Sequence, residues 1–145
     1  MRTLLTAGAA TLGLVASLTV ARAAEPVAIE VRESEPHGAY LVGKEEQSVY
    51  LFTGDRQNES TCYDACALAW PPVLTEAEPA AGEGLDPAKL GTIERKDGSM
   101  QVTYNGAPLY YFIQDSAAGD TTGQGNLGFG GAWHLVSPDG TKIER

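Results

Sequence analysis

The chain has 145 residues, two cysteines and a formal net charge of −9. That length suits one domain with a modest core. The acidic excess excludes nucleic acid and anionic membrane surfaces as natural partners, since both need basic patches.

The chain opens with "MRTLLTAGAATLGLVASLTVARA". Arg2 supplies a positive start, an apolar run follows from about Leu4 to Val20, and Ala21-Arg22-Ala23 is a small-x-small cleavage sequence. This reads as a secretory signal peptide over residues 1–23. Cleavage after Ala23 leaves a single domain over 24–145, with eight basic against nineteen acidic residues, a balance of −11. No cysteine lies at the cleavage point, so a lipid anchor is not expected there. The expected location is the periplasm or the exterior, with no membrane insertion after cleavage.

In chain order, "PVAIEVRES" at 26–34 alternates apolar and polar side chains, the period of a half-buried strand. "AYLV" at 39–42 and "SVYLF" at 48–52 are β-rich, with charged "GKEEQ" as the turn between them. "STCYDACALAW" at 60–70 is the one helix candidate, near Cys62–Ala69. Ser60 or Thr61 is placed to cap it, and Pro71 and Pro72 end it. Residues 75–89, rich in Pro, Gly, Ala and Glu, read as an exposed connection. A three-strand meander is expected from Gly91 to Ile113, with turns at Asp97-Gly98 and Asn105-Gly106. Short strands at 132–136 and 141–145 close the chain around Pro138-Asp139-Gly140.

The halves resemble each other. Tyr50, Phe52 and Asp55 match Tyr110, Phe112 and Asp115, and each set is followed by Ala-Trp-x-x-Val at Trp70 and Trp133. The reading is therefore a mainly β domain of two related β-meander repeats, about 27–74 and 90–145. Neither buries much alone, and together they pack as a small sandwich or barrel. On a strand, Tyr50 and Phe52 share a face, as do Tyr110 and Phe112. The Asp three residues later falls at the strand end, where its carboxylate can accept loop N–H groups. The motif reads as two aromatic anchors and a turn lock.

These motifs, with "CYDACALAWPPV", "QVTYNGAPLYYF" and "GDTTGQG…GGAWHLV", resemble a family of bacterial secreted repeats, predicted lipoproteins with a Yx(FWY)xxD motif. The resemblance covers roughly residues 37–136. It implies an exported, duplicated module of unknown function. The lipid anchor of that description is not carried over, because the lipobox cysteine is missing.

The remaining candidates carry competing readings. Cys62 and Cys66 read first as a disulfide in an exported chain. A dithiol redox pair lacks the C-x-x-C spacing, and a soft-metal site such as copper would need His37, His134 or Met100 nearby. Gly123-x-Gly125-x-x-Gly128 matches a dinucleotide fingerprint only formally, without a βαβ context. It reads instead as a tight loop bringing backbone near the aromatic core. Asp115, Asp120, Thr121 and Thr122 could offer oxygens to Ca²⁺, but without EF-hand spacing. His37 and His134 read as surface or interface histidines. No catalytic constellation is visible, no cofactor is implied, and the leading expectation is a non-enzymatic module binding a protein or small ligand. The alternative is a redox or metal-handling accessory protein using Cys62 and Cys66, with His37 or His134.

Overall fold

A computed structural model describes residues 4–5 and 7–145 of the chain. Arg2, which carries the positive start of the expected signal peptide, lies outside the described residues. Residues 7–26 hold no helix or strand and are exposed.

From there the chain forms nine strands and one α-helix. Strands β1 (Ala28–Ser34), β2 (Gly38–Val42) and β3 (Tyr50–Phe52) come first, followed by helix α1 (Ala65–Ala69). Strand β4 (Ala80–Ala81) leads to β5 (Leu90–Glu94), β6 (Met100–Tyr104) and β7 (Ala107–Pro108). A hairpin of β8 (Leu127–Gly128) and β9 (Gly131–Leu135) ends the regular structure. Three small sheets result, ordered β2-β1-β4, β3-β9-β8 and β5-β6-β7.

The expected mainly β fold of two repeats is what forms, but the sheets do not close into a barrel. Each has three strands, some only two residues long, too little for closure. Single bridges join them instead. Tyr110 pairs with Tyr50 on one side and with Pro72 on the other, which makes its segment central, as its two apolar faces suggest.

Local chemistry explains the turns. Asn105 and Gly106 both adopt positive φ, at 51° and 78°, the geometry of a two-residue hairpin between β6 and β7. Asp97 Oδ1 accepts from the Ser99 amide at 2.9 Å and holds the β5–β6 turn. Asp139 fastens the turn after Pro138 through the Ser137 and Thr141 hydroxyls and the Thr141 amide. The Ser137 hydroxyl is the main cause that lowers its carboxyl to about 2.

Three expectations need correction. The one short helix expected near Cys62–Ala69 forms, but it starts only at Ala65, and neither Ser60 nor Thr61 caps it. Asp64 precedes it at φ 54°, a left-handed kink that stops helix from running back to Ser60. The connection 75–89 is not simply exposed. Thr75, Pro79 and Leu85 are buried, and β4 adds to β1 in parallel. The segment 141–145 is not a strand but a tail held by one bridge, Val136 to Lys142, and by the Ile143 amide donating to Leu135.

Two apolar clusters fill the interior. One gathers Ile29, Leu41, Val49, Val73, Leu85, Val102, Tyr104, Leu109 and Val136 between the meanders. The other holds the motif aromatics, both tryptophans and both cysteines.

Candidate functional site

The two repeats are threaded through each other. The backbones of Tyr50 and Tyr110 exchange both hydrogen bonds, 2.8 and 2.9 Å, at the point where the repeats meet. The segment after each tryptophan then completes the other repeat: the Leu41 amide donates to Val136 O at 2.9 Å, and the Val102 amide to Val73 O at 2.8 Å.

Side chains follow the same exchange. The Tyr50 hydroxyl donates to Asp115 Oδ2 at 2.6 Å, and the Tyr110 hydroxyl donates to Asp55 Oδ2 at 2.6 Å. Each carboxylate uses its other oxygen locally. Asp55 Oδ1 accepts from the Thr61 amide and hydroxyl, and Asp115 Oδ1 from the Thr122 amide and hydroxyl. One aspartate thus ties its own loop and the other repeat's phenol, and such charge-assisted bonds are the stronger kind.

The aromatic rings form one continuous stack. Phe52 lies on Trp133 at 4.2 Å, Trp133 on Trp70 at 4.0 Å and 2° between planes, and Trp70 on Phe112 at 4.0 Å. Each phenylalanine therefore stacks on the tryptophan of the other repeat. Tyr50 meets Trp70 edge-on at 5.4 Å, and Tyr110 meets Trp133 edge-on at 5.2 Å. In the first repeat the period-two pattern of β3 presents Tyr50 and Phe52 to one side. In the second, the strand expected to run to Ile113 stops at Pro108, and Tyr110 and Phe112 reach the stack from an irregular segment held by single bridges to Tyr50 and Pro72.

Electrostatics reflect the enclosure. Burial, reinforced by the Asp115 carboxylate, pushes the Tyr50 phenol far above its ordinary value, and burial does the same at Tyr110. Burial also raises the Asp55 carboxyl, against the lowering effect of the Tyr110 and Thr61 hydrogen bonds. Both pairs therefore favour the form in which the phenol keeps its proton.

An extra network that no motif announced runs from the second repeat to the Ser60–Cys62 loop of the first. Arg95, 6% exposed, donates to Ser60 Oγ, Gln101 Oε1 and the Cys62 carbonyl at 3.0, 2.7 and 2.8 Å. Ser60 Oγ lies 2.6 Å from the Tyr110 hydroxyl. Strand parity could have found Arg95, because it shares a face with Ile93 while Lys96 does not. Nothing in the sequence marks Tyr40, whose buried hydroxyl has no partner among the described residues.

The other candidates separate. Cys62 and Cys66 are joined in a disulfide, buried beside Trp70. Among the described residues no three His, Cys, Asp or Glu side chains gather as a metal site. His37 and His134 each place Nδ1 on a backbone carbonyl of the C-terminal tail, Arg145 at 2.7 Å and Ile143 at 2.9 Å. Asp120 caps the Ser116 and Ala117 amides rather than joining Asp115. The glycine tract does what a tight loop should: Gly123 donates to the Tyr50 hydroxyl at 3.2 Å and lies against Trp70. Met100, half-buried, lines an open groove of about 440 Å³ with Thr75, Pro79 and Leu90.

Fold and core together define a duplicated, mainly β module whose repeats complete each other. A family model described as a secreted repeat of unknown function matches residues 33–74 and 91–137, so the chain belongs to that family of secreted repeats. No curated protein and no solved structure matches the chain. Among the described residues, no helix is long and apolar enough to cross a membrane.

Proposed function

We propose that the protein is an exported, non-enzymatic binding module that meets a protein or a small ligand in the periplasm or outside the cell. The supporting observation is where apolar side chains remain uncovered. Leu127 and Phe129, 85% and 53% exposed, form the β8–β9 hairpin beside the Phe52 end of the stack. Phe129 holds φ 55°, a conformation that costs a bulky residue free energy. Leu68 and Ile113 are exposed at the Phe112 end, where the Ile113 amide donates to Ala69 O. The motif residues are spent on a rigid interior, and the apolar tips stand on it.

The test uses the secreted chain purified from its host, with a mass that reports cleavage after Ala23. Used as bait against envelope extract, it captures a defined partner, and Leu127→Asp/Phe129→Asp loses that partner without a change in fold. Capture unaffected by the double substitution, or substrate turnover by the purified protein, overturns the reading.

A further inference from the structure

Of the six tyrosines, Tyr50 and Tyr110 are the two, among the described residues, whose hydroxyls donate to a carboxylate. The buried Tyr104 donates to the Pro138 carbonyl, Tyr40 has no partner, and Tyr111 accepts from the Lys44 amide. A phenol held on a carboxylate can lose an electron and pass its proton along the existing hydrogen bond in the same event. A phenol on a carbonyl, or on nothing, has no base to receive that proton. Both carboxylate-bound phenols also touch the Trp70–Trp133 pair, and two indoles stacked in parallel share a positive charge better than one.

We propose that the four-ring stack with its two tyrosine–aspartate pairs is a one-electron sink for diffusible oxidising radicals such as peroxyl radicals. The tryptophans are 3% and 0% exposed, and the rims of Phe52 and Phe112, at 5% and 7%, reach the surface at the two ends of the stack. A radical therefore cannot add to the indoles, and electron transfer is what the enclosure permits. In the first step one electron leaves the tryptophan pair for the peroxyl radical. The radical becomes a peroxide anion and takes a proton from water, giving the hydroperoxide. In the second step Tyr110 or Tyr50 returns one electron to the tryptophan cation, while its phenolic proton moves to Asp55 or Asp115. The balance, from one peroxyl radical, one water, one phenol and one carboxylate, is one hydroperoxide, one hydroxide, one neutral tyrosyl radical and one protonated carboxylic acid. The raised Asp55 carboxyl favours accepting that proton. The threonine bonds on the other carboxylate oxygen keep each acceptor in place through the transfer.

The test applies photogenerated tris(bipyridine)ruthenium(III) to the whole secreted protein and follows radicals by transient absorption and electron paramagnetic resonance. The expected sequence is a tryptophan cation that converts to a neutral tyrosyl radical, more slowly in D₂O than in H₂O. Tyr50→Phe/Tyr110→Phe should lose the tyrosyl signal and leave oxidation on tryptophan. Should that variant not fold, the wild-type protein decides: acidification that protonates the carboxylates should suppress tyrosyl formation. A tyrosyl signal that survives the double substitution overturns the proposal, because it then comes from one of the four tyrosines that no carboxylate holds. So does wild-type conversion indifferent to both D₂O and acid.

Discussion

Tyr50 donates its hydroxyl hydrogen bond to Asp115, sixty-five residues away in the other repeat, although Asp55 stands five residues along its own chain. The reciprocal bond, Tyr110 to Asp55, has the same length of 2.6 Å. The repeated signature is thus a clasp between repeats, and it makes each repeat's interior depend on the other.

Double-mutant cycles should show this crossing. Removing Asp115 leaves a buried phenol without its acceptor, and Asp115→Ala should cost about 1–3 kcal/mol. The coupling between Tyr50→Phe and Asp115→Ala should fall at about 0.5–3 kcal/mol, whereas Tyr50→Phe with Asp55→Ala should add within about 0.5 kcal/mol. Urea unfolding of the four chains of each cycle measures both. Stronger coupling within a repeat than between repeats contradicts the crossed arrangement.

Much of this fold was legible in the sequence, and the reason is local. Alternation at 26–34, the Asn105-Gly106 turn and the shared face of Tyr50 and Phe52 are short-range consequences of backbone geometry. The Asp55 and Asp115 bonds to their own loops are equally local. The crossing was not legible, because two identical signatures carry no mark of which aspartate serves which phenol. Arg95 escaped notice because a charged residue beside a turn usually faces water, and only its partners on Ser60, Gln101 and Cys62 make burial tolerable. The helix came out short because the Asp64 kink lies inside the ring that the cysteines close.

Alkaline pH should unfold the protein through the same phenols. Their folded pKa values lie above the ordinary value near 10, so above that pH the unfolded chain releases protons that the folded chain retains. The stabilisation is complete below the unfolded pKa and is lost as pH rises through the window above it. Each phenol should subtract about 1.4 kcal/mol per pH unit there. Asp55 follows the same sign in the acid range: its raised carboxyl contributes most at low pH and less as pH rises through its folded value. Unfolding midpoints between pH 9 and pH 12, roughly the range bracketing tyrosine ionisation, should fall steeply, and Tyr110→Phe should flatten the decline. A flat profile in that range rules the assignment out.

The disulfide should contribute a modest, separable increment. Cys62 and Cys66 are four positions apart, and so short a loop stabilises by about 2 kcal/mol in the chain-entropy description. The bond also fixes the Cys62 carbonyl that Arg95 uses and the Cys66 carbonyl that accepts the Trp70 amide at 2.8 Å. Cys62→Ala/Cys66→Ala should remain folded with a lower denaturation midpoint. Adding Arg95→Met should then cost less in that background than in the native one, because the carbonyl that Arg95 holds is no longer pinned. Strict additivity would separate the disulfide from the arginine network.

Gly123 tests how closely the glycine tract must approach the stack. A Cβ there would stand 2.8 Å from the Trp70 ring and 2.9 Å from the Tyr50 ring, distances at which something must move. Neither ring has room, since Trp70 lies between Trp133 and Phe112 and Tyr50 is fixed on Asp115. Gly123→Ala should therefore cost about 1–3 kcal/mol, the range of an overpacked core. It should also perturb the near-ultraviolet circular dichroism of the stacked tryptophans. Gly128 is the control: a Cβ there meets nothing within 4 Å, so Gly128→Ala should stay within about 0.5 kcal/mol of the native protein. If the two substitutions cost the same, the loop does not press on the rings, and the close approach that completes the core is wrong.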